Sequence, residues 1–272
     1  MTSPFNDKVI IITGASEGIG RELSRQLAAH GAKLVISARN KARLLSLKEE
    51  LSTYYADVDS HVLIHTADVC SQLACQSLID ATIAKFSCLD ILVNNAGMSM
   101  WAKFEDLTDL SIFNNLYQLN VTSVAYCTHA ALPYLKKSTG MIVGVASVAG
   151  ITGVPTRTAY SASKHALIGF LDSLRIELLP YQIDVVCVAP DFVVSEIHKR
   201  ALDGNGKPLG ASPMKQSKIM TTERCCTLIV QAMQEKQRLA VLSTRGKIGR
   251  WLKLLWPSLI DKLALNAIQN KH

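Results

Sequence analysis

Apolar runs alternate along this chain with stretches in which apolar residues recur every three or four positions. Residues 9–12 are an unbroken β-branched run, which suits a strand buried on both faces of a sheet. Comparable runs lie at 33–37, 62–64, 89–93, 141–146 and 183–188, and 239–242 reads as a seventh strand. Helical spacing fills the gaps. Leu23, Leu27 and Ala28 mark a first helix that ends at Gly31, and Leu44, Leu47 and Leu51 mark one over 41–55. Further helix patterns lie near 71–86, 106–135, from Tyr160 through Leu171, and over 222–236. Strand and helix alternate six times without a long structureless loop. That predicts an α/β fold: a doubly wound, mostly parallel seven-stranded sheet with helices on both faces, in one domain.

The residues that carry candidate chemistry fall just after the strands, at the edge where such sheets bind ligands. After the first strand comes Thr13-Gly14-Ala15-Ser16-Glu17-Gly18-Ile19-Gly20, leading into a helix. Glycines let backbone N–H groups approach a phosphate, and the helix N-terminus adds its positive dipole. A plain glycine-rich turn is the other reading. After the second strand, Ala38-Arg39-Asn40 offers no acid for ribose hydroxyls and an arginine that suits a 2′-phosphate. This favours NADP over NAD. Glu17 argues the other way, and Arg39 also reads as an exposed loop residue. Asp68-Val69 ends the third strand, where the acid could hold an adenine amine or cap a helix. Asn94-Asn95-Ala96-Gly97 suits close backbone approach to a cofactor, or a turn. Asn120 sits within a helix pattern, where asparagine competes with the backbone. It is either exposed or holds a local break and a water. Ser147 ends the fifth strand and Pro190-Asp191 follows the sixth.

The sharpest candidate is Tyr160-Ser161-Ala162-Ser163-Lys164. Positions i and i+4 of a helix share a face. A phenol titrates near pH ~10, and a fixed cation beside it favours the phenolate. Tyr160 then becomes usable as a proton donor or acceptor.

Composition narrows the picture. The 272 residues carry a formal charge of +7, scattered without a run of five or six like charges, so no nucleic-acid arm is expected. The seven cysteines are odd in number and contain no Cys-x-x-Cys. They read as core thiols in a reducing compartment, with no disulfide frame and no metal site. The run at 9–12 is far too short for a signal peptide or a membrane span, so a cytoplasmic protein is expected. Asp203 to Gly210 form a polar loop inside a substrate lid expected near 195–220. Residues 1–244 form the main domain, and 245–272 a basic amphipathic tail. The tail sets Arg245, Lys247, Arg250, Lys253, Lys262 and Lys271 against Asp261 alone, interleaved with Trp251, Leu252, Leu254, Leu255 and Trp256. Such a segment suits a helix lying in a membrane interface. A helical hairpin packed on the core or on a partner subunit is the alternative. Pro257 should break it in two.

The pattern Thr13-Gly-x-x-x-Gly-x-Gly20, Asn94-Asn-Ala-Gly97, Asn120, Ser147 and Tyr160-x-x-x-Lys164 resembles the short-chain dehydrogenase/reductase family over about residues 7–200. The resemblance implies a Rossmann fold and roles for particular residues. Tyr160 would exchange a proton with the substrate oxygen, and Ser147 would hydrogen-bond it. Lys164 would lower the tyrosine pKa and bind the nicotinamide ribose, and Asn120 would anchor a water-mediated relay. Gly14, Ser16, Glu17, Gly18, Ile19 and Gly20 would hold pyrophosphate and ribose. Arg39 and Asn40 would meet the adenosine phosphate, and Asp68 and Val69 the adenine. Asn95, Ala96, Gly97, Pro190 and Val193 would complete the cofactor groove. Asp191 departs from the family's usual glycine, and Ser195 from its usual threonine. Within the family, the runs at 95–99, 163–167 and 220–225 resemble a membrane-associated branch. That branch includes dehydrogenase/reductase member 7, 11β-hydroxysteroid dehydrogenase and 3-ketodihydrosphingosine reductase. Its members often carry an N-terminal anchor, and none is expected here.

The function expected is an NADP(H)-dependent interconversion of a ketone and a secondary alcohol, on a lipophilic substrate, by a homodimer or homotetramer. Met98, Met100, Trp101 and Val154 near the expected pocket support a lipophilic carbonyl. The alternatives are an NAD-dependent dehydrogenase of the same family and a dinucleotide-sensing module without turnover.

Overall fold

The strands β1 (Val9–Thr13), β2 (Lys33–Ala38), β3 (Val62–Thr66), β4 (Ile91–Asn94), β5 (Met141–Val145), β6 (Asp184–Ala189) and β7 (Leu239–Val241) form one sheet. Their order is β3-β2-β1-β4-β5-β6-β7, and every pairing is parallel. The computed structural model describes residues 3–212 and 219–269. β1 lies mid-sheet with all five residues buried, as its unbroken apolar run requires. Ile10 is in register with Leu34 of β2 and Ile91 of β4.

The helices α1 (Gly18–Ala29), α2 (Lys41–Leu51) and α8 (Thr222–Gln234) cover one face. Their Leu23, Leu27, Leu44, Leu47 and Ile229 share a core cluster with Ile10 and Ile12. On the other face, α4 (Gln72–Phe86), α6 (Ser123–Ser138) and α7 (Thr158–Leu178) pack Leu78, Ile79, Val124, Leu167 and Leu171 against Ile11 and Leu92. The order reverses between β1 and β4, which opens a crevice at the C-terminal strand ends.

Several boundaries differ from those read in the sequence. The helix expected over 41–55 ends at Leu51 and runs on as a 3₁₀ turn, Ser52–Tyr54. A one-turn helix, α3 (Val58–His61), was not expected; the Asp57 carboxylate caps it by accepting from Asp59 N and Ser60 N. The helix expected over 106–135 is split into α5 (Ser111–Tyr117), a π turn (Gln118–Thr122) and α6. The tail forms α9 (Thr244–Leu255) and α10 (Pro257–Gln269), with the break at Pro257. No described helix is long and apolar enough to cross a membrane. Of the lid expected near 195–220, residues 213–218 lie outside the described residues, as do 270–272 of the tail.

Candidate active site

One cavity of about 2250 Å³ runs along the C-terminal strand ends and is lined from Gly14 to Pro190 by the residues that follow β1 to β6. At its first end, Gly14 has φ +66, a left-handed backbone that glycine adopts without cost. A Cβ at Gly20 would come within 2.3 Å of Gly14 O, so the loop closes only with glycine there. Thr13 and Asn95 hold the loop in place. Thr13 Oγ1 accepts from Asn95 N at 3.0 Å and from Ala96 N at 3.1 Å. The Asn95 amide donates to Thr13 O at 2.9 Å and Gly14 O at 3.2 Å. Asn95, a candidate for the cofactor, thus spends its side chain on the loop itself. The α1 N-terminus carries no side-chain cap, which leaves its first N–H groups available to an anion. The cavity therefore fits a dinucleotide pyrophosphate at this end.

Arg39 and Asn40 line the same cavity, with Arg43 beside them. Asn40 also caps α2, its side chain accepting from Arg43 N at 3.0 Å. Asp68 does not cap α4. Its carboxylate accepts from Cys70 N at 3.0 Å, and Ser71 is the cap. The Glu17 carboxylate is paired with both Arg43 and Arg200. Two cations thus answer the acid that argued against a 2′-phosphate.

Asn120 is fully buried at the π turn. Its amide oxygen accepts from Met98 N at 2.9 Å, and its nitrogen donates to Met98 O at 3.0 Å and Ser163 Oγ at 2.9 Å. The side chain staples β4's loop to α7, and the helix break accommodates it. The exposed reading of Asn120 is excluded.

Ser147 follows β5 and accepts from Ala149 N at 3.1 Å. Tyr160 and Lys164 sit one turn apart on the buried face of α7. Tyr160 is 7% exposed. Burial pushes its phenol up from the ordinary value, while hydrogen bonding from Ser147 and the Arg157 charge pull it down. Lys164 is the cation expected to lower the tyrosine. Its Nζ donates to Val145 O at 2.8 Å and lies 5.9 Å from the tyrosine ring centroid. Burial pushes Lys164 down to about 8.

Two features escaped the sequence reading, and a third bears on its alternatives for the tail. Arg157, at the N-cap of α7, is buried within a cage of aromatic rings; burial pushes it down to about 10. An arginine one turn before the key tyrosine was a signal available from the i, i+3 spacing. Asp191 accepts from Ser243 Oγ at 2.8 Å, from Arg245 Nε at 3.0 Å and Nη2 at 2.7 Å, and from Phe192 N at 2.9 Å. Burial alone would raise this carboxyl, but Arg245 and Ser243 hold it below the usual range. Last, Leu252, Ile260 and Leu263 bring α9 and α10 into the cavity wall. Met98, Trp101 and Val154 line it as expected, whereas Met100 is wholly buried beneath it. Among the described residues there is no cluster of His, Cys, Asp and Glu able to hold a metal.

The chain is similar to known proteins. A Dictyostelium discoideum protein named dehydrogenase/reductase SDR family protein 7-like is 36% identical over 263 residues, covering 96% of this chain and 82% of that relative. The 11-beta-hydroxysteroid dehydrogenase 1A of Arabidopsis thaliana is 34% identical over 261 residues, covering 93% of this chain and 73% of its own length. Among solved structures, a Burkholderia phymatum short chain dehydrogenase/reductase in complex with NAD superposes with a TM-score of 0.81 at 24% identity, covering 94% of this chain and 95% of that one. An alcohol dehydrogenase from Thermococcus sibiricus complexed with 5-hydroxy-NADP gives 0.72 at 23%, covering 87% and 94%. With the short chain dehydrogenase model matching residues 8–205, the glycine loop, the Asn-Asn-Ala-Gly turn and the Ser147, Tyr160, Lys164 set belong together, and the chain is an oxidoreductase of the short-chain dehydrogenase/reductase family.

Proposed function

We propose that the protein interconverts a ketone and a secondary alcohol with NADP(H), acting on a lipophilic substrate. The observation that carries this is the convergence of Ser147, Tyr160 and Lys164 on one cavity with an uncapped glycine-loop helix. The nicotinamide supplies or takes the hydride when bound. Ser147 and Tyr160 hold the substrate oxygen, and Tyr160 gives up or receives the proton. Lys164 holds the ribose, and Asn120 keeps the Met98 backbone and α7 in register beneath it.

Arg39, with Arg43, supports NADP over NAD, because Glu17 is already neutralised by two arginines. Arg39→Asp is expected to shift preference from NADPH toward NADH, read as the ratio of kcat/KM for the two. An unchanged ratio removes the assignment. NADPH oxidation against steroid, retinoid, ketoacyl and sphingoid ketones tests the activity itself. Cofactor binding with no turnover on any of them would favour a sensing module instead.

The tail supports peripheral membrane contact. Trp251 is 62% and Trp256 63% exposed, with Leu254 and Leu255 beside them. Lys247, Arg250 and Lys262 are interleaved with these apolar residues, the composition of an interfacial helix. Trp251→Ser combined with Trp256→Ser is expected to abolish flotation with vesicles containing anionic phospholipid. Flotation that survives the double substitution would show that these two side chains do not carry the membrane contact.

A further inference from the structure

We propose that Arg157 is the binding point for an oxyanion, in the simplest case a carboxylate, carried by the lipophilic carbonyl substrate. The proposal rests on the oxidoreductase reading of the same cavity and narrows its substrate class to oxo acids.

Arg157 lines the cavity and is 4% exposed. Its guanidinium carbon lies 4.3 Å from the Trp101 ring centroid, 4.9 Å from that of Phe192 and 5.8 Å from that of Tyr160. Rings this close attract the cation but accept no hydrogen bond in its plane. The in-plane donors are poorly met. Nη1 reaches Ser99 Oγ at 3.4 Å and Nη2 reaches His198 Nδ1 at 3.5 Å. Neither partner is a carboxylate, and both distances lie beyond the ordinary hydrogen-bond range. Nε is buried with no partner among the described residues. Asp191 is the acid whose charge reaches Arg157, yet its oxygens are occupied by Ser243, Arg245 and Phe192 N.

A buried guanidinium without a counter-ion is expensive. Such a group is kept where a ligand completes it. Guanidinium N–H edges match a carboxylate in two parallel hydrogen bonds. The remaining wall, with Met98, Val154, Leu252, Ile260 and Leu263, suits a hydrocarbon body. The short separation from Tyr160 sets the anion a few bonds from the reacting carbonyl.

A competing role is that of a strut. His198 Nε2 donates to Val193 O at 3.1 Å, so Arg157 and His198 also tie α7 to the segment after β6. A strut affects every substrate alike. An anion site discriminates between an acid and its ester.

The test uses the full-length chain with 4-, 5- and 6-oxodecanoate, each against its methyl ester, in NADPH-dependent reduction. For the wild type, kcat/KM is expected to favour the acid at one spacing by about 10-fold to 100-fold, the worth of a hydrogen bond to a charged group. Arg157→Met should bring that ratio close to one, and Arg157→Lys should retain part of it. Absolute rates fall on both substrates if the Tyr160 phenol loses its neighbouring charge, so the ratio is the readout. Calorimetric binding of decanoate, with decanol as the neutral control, follows the same residue without turnover. Decanoate should bind about 10-fold more weakly to Arg157→Met, with decanol unchanged. A wild type that prefers no acid over its ester overturns the proposal, even if the Met variant fails to fold. So does a preference that survives Arg157→Met. Turnover of the esters without acid preference sinks the anion site and leaves the oxidoreductase standing. Arg157-dependent decanoate binding without turnover of any ketone does the reverse.

Discussion

Tyr160→Phe is expected to lower kcat by at least ~10²-fold, the low end for a lost general acid, with cofactor affinity little changed. The substitution removes one oxygen and keeps the ring that packs with Met100, Ile112 and Leu116. The fold should therefore survive. The lost oxygen is the one proposed to pass a proton to a substrate beside Ser147. Burial holds the phenol protonated, which is the form needed to reduce a ketone. Steady-state kinetics with a fluorescence titration of NADPH separate the two effects. A variant with kcat near wild type would reject Tyr160 as the proton carrier.

Asn120→Leu is expected to destabilise the protein by about 3 kcal/mol or more. Leucine is close in volume but strands Met98 N, Met98 O and Ser163 Oγ, each at about 1–3 kcal/mol when buried and unmet. Ser163 Oγ keeps its bond to Tyr160 O at 2.8 Å, which sets the estimate at the low end. For a chain of this size the melting temperature should fall by roughly 6–12 °C. The turn that carries Tyr160 and Lys164 loses its staple as well, so kcat should fall with stability. A melting temperature within a degree or two of wild type would show that the π turn does not depend on this side chain.

Much of the fold was legible because parallel strands buried on both faces leave unbroken apolar runs, such as residues 9–12 and 141–145. The shared buried face of Tyr160 and Lys164 on α7 was legible because they are four residues apart, a local geometry. What was hidden is non-local. Asp191 and Arg245 are 54 positions apart, and nothing in either segment names the other. Glu17 and Arg200 meet across 183 positions. Asn120 marked a disturbed helix, but the extra residue of a π turn follows from its bonds to Met98 and Ser163, which only the packed structure supplies.

The Asp191 carboxylate gives the tail a second importance. A protein shortened before Arg245 would leave a desolvated acid, stripped of its cation, beside the proposed nicotinamide loop. Such a truncation would damage the chemistry whether or not lipid matters, so lost activity in a shortened chain says nothing about membranes. Only changes confined to the outward side of the final two helices can ask that question cleanly.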